Sequence, residues 1–311
     1  MHILAMDTGA TKIAAAVSDA EGNLLEKRRW LRGEMLPTPK DNAMRIYREI
    51  LDYYKPRYDI AAVGLGAGGR VDVHTGAFMF GTGGVGNGWF GVNIIEEVED
   101  IAGCPVAIEN DCKVAMVGEN WKGATAGMDC VLGVILGTGI GGGFTYKGEM
   151  VYGHRYGAGE VGHMVLYPGG RACSCGQRGC AEMYCCGTAL WTGYNARVGE
   201  RRLSSGSEFF QCVEQADPDA RAVLDQFTHD LAVLLATCGN LVEPGAFLIG
   251  GGLVDTADVW WDQLMGEYRR EAAEFVREIP IIRSQLGNDA ALYGCVKIAR
   301  DKLRGDNRNA D

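Results

Sequence analysis

Two glycine turns, each lying between apolar strands too close together in sequence to admit a helix, constrain this chain more than any other feature. The first follows Ile3-Leu4-Ala5-Met6 and reads Asp7-Thr8-Gly9-Ala10-Thr11. A second strand runs over residues 12–17, and Asp19-Ala20-Glu21-Gly22-Asn23 stops it. Only about seven residues separate the two turns, so the crossover helix that a dinucleotide fold needs after its first glycine turn has no room. The pattern is strand, turn, strand, and a third strand over 24–30 completes a meander. A second unit of the same kind spans 131–144 around Leu136-Gly137-Thr138-Gly139-Ile140-Gly141-Gly142-Gly143. Two such hairpins in successive halves point to a duplicated architecture.

The chain has 311 residues, 47% apolar and 23% charged, which is enough to bury a substantial core in two domains with a site in the cleft between them. Its 46 glycines are about twice the usual share and are clustered in short runs, as when backbone must approach a ligand. With 40 acidic against 30 basic side chains the formal charge is -10, so no bulk field draws nucleic acid or an anionic membrane. Asp7 interrupts the first apolar stretch before a signal-peptide core can form, and the uncharged run 130–146 carries six glycines. A cytoplasmic protein is expected, in which eleven cysteines serve as thiols or metal ligands rather than as a disulfide framework.

Between the turns the pattern predicts a helix over 41–55, a buried strand over 60–66, a strand over 105–109 and a helix over 111–121. Further on it predicts a long apolar helix over 219–242, a strand over 247–249, a helix opened by Gly250-Gly251-Gly252, and a terminal helix over 286–303 with a frayed end at 304–311. The expected division is an N-terminal α/β domain, 1–109, completed by a C-terminal helix over 290–303, and a larger α/β domain, 110–289.

Small residues at Asp7, Thr8, Gly9, Ala10, Thr11 and Lys12 suit the approach of backbone amides to phosphate, and a strand-end carboxylate suits the water shell of Mg2+. A plain hairpin turn is the other reading. Gly137, Thr138, Gly139, Ile140, Gly141 and Gly142 offer several amide donors and one hydroxyl. Gly250, Gly251 and Gly252 form a turn where an adenine ring can lie on bare backbone, or where a helix packs closely on a strand. Asn110-Asp111 is an ordinary helix N-cap; at a strand end facing a cleft, Asp111 is also where a general base for a hydroxyl nucleophile belongs. His163, Cys173, Cys175 and Cys180 follow H-x9-C-x-C-x4-C. One imidazole and three thiolates suit a closed, structural tetrahedral Zn2+ site, in a knuckle turned by Gly176 and Gly179.

Together these residues resemble the ROK family of sugar kinases and repressors over essentially the whole chain. Asp7-x-Gly9-Ala10-Thr11-Lys12 is similar to its first phosphate motif, with Ala10 where glycine is usual. Gly137 to Gly143 resembles its second, Ile249 to Gly252 its adenosine segment, and Gly159-Glu160-x-Gly162-His163 through Cys180-Ala181-Glu182 its zinc signature. The resemblance implies a two-domain actin-like ATPase (ribonuclease H-like) α/β fold with an interdomain cleft. It also implies transfer of the γ-phosphoryl group of ATP to a hexose or N-acetylhexosamine hydroxyl, the 6-OH in the family pattern, with Mg2+ and zinc bound. By the same resemblance Asn110, Glu160, His163 and Glu182 hold the sugar, Asp111 takes the proton, and the assembly is a homodimer. Zinc on one nitrogen of His163 leaves the other to face the sugar.

The alternative within the family is a sugar-responsive transcriptional regulator or a non-catalytic sugar sensor. Such repressors carry a DNA-binding segment before the first strand, whereas the first strand here starts at residue 3. The chain departs from the family in its sugar loop, where Gly68-Gly69 replaces Pro-Gly. The usual sugar-binding asparagine aligns with Val85, which leaves open whether Asn87 takes its place. Lys113 stands where a small or amide residue is common.

Overall fold

The computed structural model describes residues 1–33, 38–81 and 88–305. Asn87 and Val85 lie outside the described residues, as do 306–311 of the expected frayed end. By contacts the chain separates into two units: Met1–Gly127 with Tyr152–Ala158 and Asn288–Asp311, and Met128–Val151 with Gly159–Gly287.

In the first unit β1 (His2–Thr8), β2 (Lys12–Ser18), β3 (Leu24–Leu31) and β4 (Ile60–Ala67) precede a ribbon of β5 (Arg70–Val71) and β6 (Phe78–Phe80), then β7 (Val106–Asn110). The main sheet runs β3-β2-β1-β4-β7, antiparallel from β3 to β1 and parallel from β1 to β7. Because side chains alternate across a strand, the central β1 serves two cores. Leu4 and Met6 join the helices Pro39–Tyr54 and Ile94–Ala102 on one face, and Ile3 and Ala5 meet the terminal helix Ala290–Arg304 on the other.

The expected boundary after residue 109 moves to Gly127. Helix Asp111–Lys122 packs so tightly on the terminal helix that a Cβ on Gly118 would lie 2.0 Å from the Ala290 carbonyl oxygen, and one on Gly294 1.7 Å from that of Val114. That contact puts both helices in the first unit.

The second unit contains β8 (Val131–Leu136), β9 (Ile140–Tyr146), β10 (Glu149–Met150), β11 (Ala246–Gly250) and β12 (Ile281–Arg283), ordered β10-β9-β8-β11-β12. Counted among its own strands, each five-stranded sheet has the order third-second-first-fourth-fifth, with the same antiparallel and parallel senses. The duplication suggested by the two hairpins is therefore one of topology. The long helix Pro218–Val242 is capped by the Asp217 carboxylate, which accepts from Asp219 N at 2.8 Å and Ala220 N at 3.0 Å. It buries Leu224, Phe227, Leu231 and Leu235 in the same core as Val134 and Phe247.

Local chemistry moves three boundaries. The first helix starts at Pro39 because Thr38 caps it, its hydroxyl accepting from Asp41 N at 3.1 Å. The segment after Gly251 is a 3-10 helix, Gly252–Val259, in which the Thr256 hydroxyl donates to the Leu253 carbonyl at 2.8 Å and competes with α-type pairing. The terminal helix begins at Ala290, after a 3-10 turn at Gly287–Asp289. No helix among the described residues is long and apolar enough to cross a membrane.

Candidate active site

The first turn is a true hairpin: Gly9 N donates to the Lys12 carbonyl at 3.0 Å. Asp7 stands at the end of β1 beside Gly66, where a Cβ would come within 3.4 Å of its Oδ1. Burial, and then the nearby carboxylate of Asp111, push the Asp7 carboxyl up to about 7, with Lys12 opposing. A carboxyl whose proton affinity is raised by a neighbouring carboxylate is suited to sharing a cation with it. The Thr8 hydroxyl pairs with the buried Tyr47 hydroxyl at 2.7 Å.

Asn110 is both cap and clamp. Its Oδ1 accepts from Cys112 N at 3.0 Å and Lys113 N at 3.1 Å, closing the start of helix Asp111–Lys122. Its Nδ2 donates to the Gly69 carbonyl at 2.9 Å and to Asp111 Oδ1 at 3.0 Å. The loop at Gly68-Gly69 and the expected base are thus tied to one amide. Asp111 Oδ1 also accepts from Cys112 N at 2.9 Å, a helix N-terminal environment that favours the carboxylate. Behind this pair, Glu109 is buried, with Oε1 accepting from Asn110 N at 2.8 Å and Oε2 from the Tyr152 hydroxyl at 2.7 Å. Burial raises the Glu109 carboxyl above its ordinary range, while Tyr152, Asn110 and the buried Lys113 oppose the shift. Lys113 donates to the Tyr156 carbonyl at 2.8 Å, so this departure from the family pattern anchors the segment Tyr152–Ala158.

In the second unit the loop of Gly137, Thr138 and Gly139 joins β8 to β9. Gly187 N donates to the Gly137 carbonyl at 2.8 Å and Thr188 N to that of Thr138 at 3.3 Å, so the start of helix Gly187–Val198 holds two turn carbonyls. Glu182 is brought to the same turn, accepting from Ile140 N at 3.0 Å through Oε2. Gly142 is enclosed: a Cβ would lie 2.7 Å from the carbonyl oxygens of Gly133 and Gly159. Gly137 and Gly252 have nothing within 4 Å of such a position. Gly251, at φ +87°, carries the chain past the Leu136 carbonyl after Gly250 ends β11.

His163, Cys173, Cys175 and Cys180 converge, with their ligand atoms within 4.8 Å of one another. Cys175 and Cys180 sulfurs are 3.6 Å apart, and Cys173 Sγ is 3.7 Å from His163 Nδ1. A tetrahedral zinc with Zn–S near 2.3 Å spaces its ligands by about 3.6–3.8 Å, so the donor set fits this ion. Gly176 and Gly179 turn the knuckle at φ +93° and +85°. Burial, followed by the Cys175 and Cys173 thiols, pushes the Cys180 thiol up to about 12, which a dication would reverse. Glu160 stands at the head of the short helix Val161–His163, its carbonyl accepting from His163 N at 3.0 Å.

The ROK family model matches residues 3–302. The chain belongs to the ROK family. It is 30% identical to the glucokinase of Streptomyces coelicolor, over 96% of this chain and 97% of that one. It is 28% identical to the N-acetyl-D-glucosamine kinase of Aliivibrio salmonicida, over 93% and 96% respectively. Among solved structures, the ROK glucokinase of Streptomyces griseus, in complex with glucose and AMPPNP, is similar with a TM-score of 0.84 and 30% identity, covering 97% of this chain and all of that one. This ROK protein therefore has the actin-like ATPase fold.

Sequence reasoning passed over Arg32, Asn42, Tyr47, Glu109 and Tyr152, which hold the first turn and the Asn110-Asp111 pair. Apart from the bond of Glu109 to the neighbouring Asn110 N, their partners lie elsewhere in the chain, so no local pattern marks them.

Proposed function

We propose that this ROK protein transfers the γ-phosphoryl group of ATP to a hydroxyl of a hexose or N-acetylhexosamine, the 6-OH by family resemblance. The observation that carries the reading is the Asn110-Asp111 pair: a carboxylate fixed by an amide and a helix N-terminus, next to the strand-end carboxylate of Asp7. The reading gives the triphosphate to the two glycine turns, residues 7–12 and 137–142, and the adenosine to Gly250, Gly251 and Gly252. It gives the sugar to Gly68, Gly69, Asn87, Asn110, Glu160, His163 and Glu182.

Asp111 accepts the proton of the attacking hydroxyl as the bond to the terminal phosphorus forms and the bond to the leaving ADP oxygen breaks. A base so placed contributes about 10²- to 10⁴-fold. The remaining work is positioning and charge stabilisation by backbone amides. Mg2+ fits beside Asp7, which would hold it through water, and when bound it neutralises phosphate charge. His163, Cys173, Cys175 and Cys180 would hold zinc, which would fix the His163 ring and leave its second nitrogen for the sugar, a structural rather than a reactive part. The family resemblance also supports a cytoplasmic location and a homodimer, the latter checked by sedimentation of the purified protein.

The test is a coupled ADP-release assay with Mg-ATP and a panel of hexoses, N-acetylhexosamines and glucosides, with Asp111→Asn alongside and the product's phosphate position read by NMR. Sugar-dependent turnover that falls at least 10²-fold in Asp111→Asn, with sugar binding retained, is expected. Full turnover in the variant refutes the assignment of the base, and no turnover on any sugar favours a sugar sensor.

A further inference from the structure

Arg32 follows β3 and is only 9% exposed, yet its three guanidinium hydrogen bonds among the described residues all end on neutral oxygens. Nε donates to Asn42 Oδ1 at 2.9 Å, Nη1 to the Gly9 carbonyl at 3.2 Å, and Nη2 to the Pro39 carbonyl at 3.0 Å. The fully buried Asn42 returns a bond from Nδ2 to the Arg32 carbonyl at 2.8 Å, and Arg32 N donates to the Thr11 carbonyl at 2.9 Å. Among the described residues no carboxylate lies within ion-pair distance of the guanidinium.

A buried guanidinium without a counter-charge is costly, and chains normally pair it. Here the charge sits directly behind the turn of residues 7–12. Arg32 takes two carbonyls of that turn, those of Gly9 and Thr11, and a carbonyl left without a donor there would repel a phosphate. Holding them and placing a fixed positive charge behind the same backbone prepares the turn for an anion, which would supply a counter-charge that the described residues do not.

We propose that Arg32 is a positioning residue for the phosphates of the nucleotide, acting through the Gly9 to Thr11 turn and through its own buried charge. The inference rests on the kinase reading above and deepens it at the nucleotide. It predicts that the contribution of Arg32 depends on phosphate, because adenosine gives the charge nothing to meet.

The experiment is calorimetric titration of the zinc-loaded protein, without sugar, by adenosine, ADP and Mg-ATP, for wild type, Arg32→Met and Arg32→Lys. Arg32→Met is expected to weaken ADP and Mg-ATP by about 10-fold or more while adenosine changes less than 2-fold. Arg32→Lys, which keeps the charge and loses the fork, is expected to fall between. If Arg32→Met does not fold, Arg32→Lys alone decides: a loss confined to the phosphorylated ligands supports the proposal. Equal losses for all three ligands, or none, in whichever variant folds would reduce Arg32 to a structural clamp and overturn it. Wild type that binds neither ADP nor Mg-ATP overturns the nucleotide part of the kinase reading itself, a result distinct from a failure of Arg32.

Discussion

Asn110 performs two tasks that substitution can separate. Its Oδ1 takes two backbone N–H groups as the cap of helix Asp111–Lys122, and its Nδ2 holds Asp111 and Gly69. Asn110→Ala removes both functions, whereas Asn110→Ser keeps a capping oxygen and loses the amide donor. A cap is worth about 1 kcal/mol, so the alanine variant should unfold about 2–4 °C below the serine variant. The bond to the Asp111 carboxylate is charge-assisted and contributes about 1.5–3 kcal/mol, which sets a loss of about 10- to 100-fold in kcat common to both variants. Without that donor the ionised form of Asp111 is less favoured, its pKa rises, and a general base must be ionised to act. The acid limb of the kcat profile should therefore move up by about one pH unit in both variants. The assay is sugar-dependent ADP release from pH 5 to 9, beside thermal unfolding of the same preparations. A serine variant that recovers wild-type kcat together with the stability would refute the reasoning, because the cap alone would then position the base.

Two further outcomes follow from the second unit. Removing the metal with a strong chelator, or replacing Cys180 with serine, should take bound zinc from about one per chain to none, lower the unfolding temperature and raise the sugar KM more than that for ATP, as elemental analysis and kinetics will show. Gly142→Ala should cost about 1–3 kcal/mol because its Cβ meets two carbonyl oxygens at 2.7 Å, while Gly137→Ala, with open space there, should leave denaturant unfolding nearly unchanged and act on the ATP KM.

What was legible in the sequence had a local signal. Apolar runs broken by Asp7-Thr8-Gly9 and by Gly137-Thr138-Gly139 gave both hairpins, and the spacing of Cys173, Cys175 and Cys180 after His163 gave a cluster that the structure assembles. The domain boundary was not legible. It depends on Gly118 and Gly294 letting two helices touch, and neither glycine differs in sequence from one that merely weakens a helix. The role of Asn110 was legible only as two alternatives, and the side chain serves the first of them, the cap, while also holding Asp111.

The clamps on the two turns were the least legible, and they show what the duplicated topology requires. In each unit, two carbonyls of the turn between the first and second strands are held by donors from outside it. In the first unit, Arg32 holds Gly9 and Thr11 through its side chain and its backbone N–H. In the second, the opening amides of a helix, Gly187 and Thr188, hold Gly137 and Thr138. A glycine turn offers amides and carbonyls alike, and an anion is served only by the first, so the second need partners on the protein side. One unit meets this need with the positive end of a helix. In the other, an arginine that follows β3, and that also holds Pro39 and Asn42 at the start of helix Pro39–Tyr54, supplies both the donors and the charge. Topology repeats because the strand order builds the turn, while the residue that completes it depends on which element comes next in the chain.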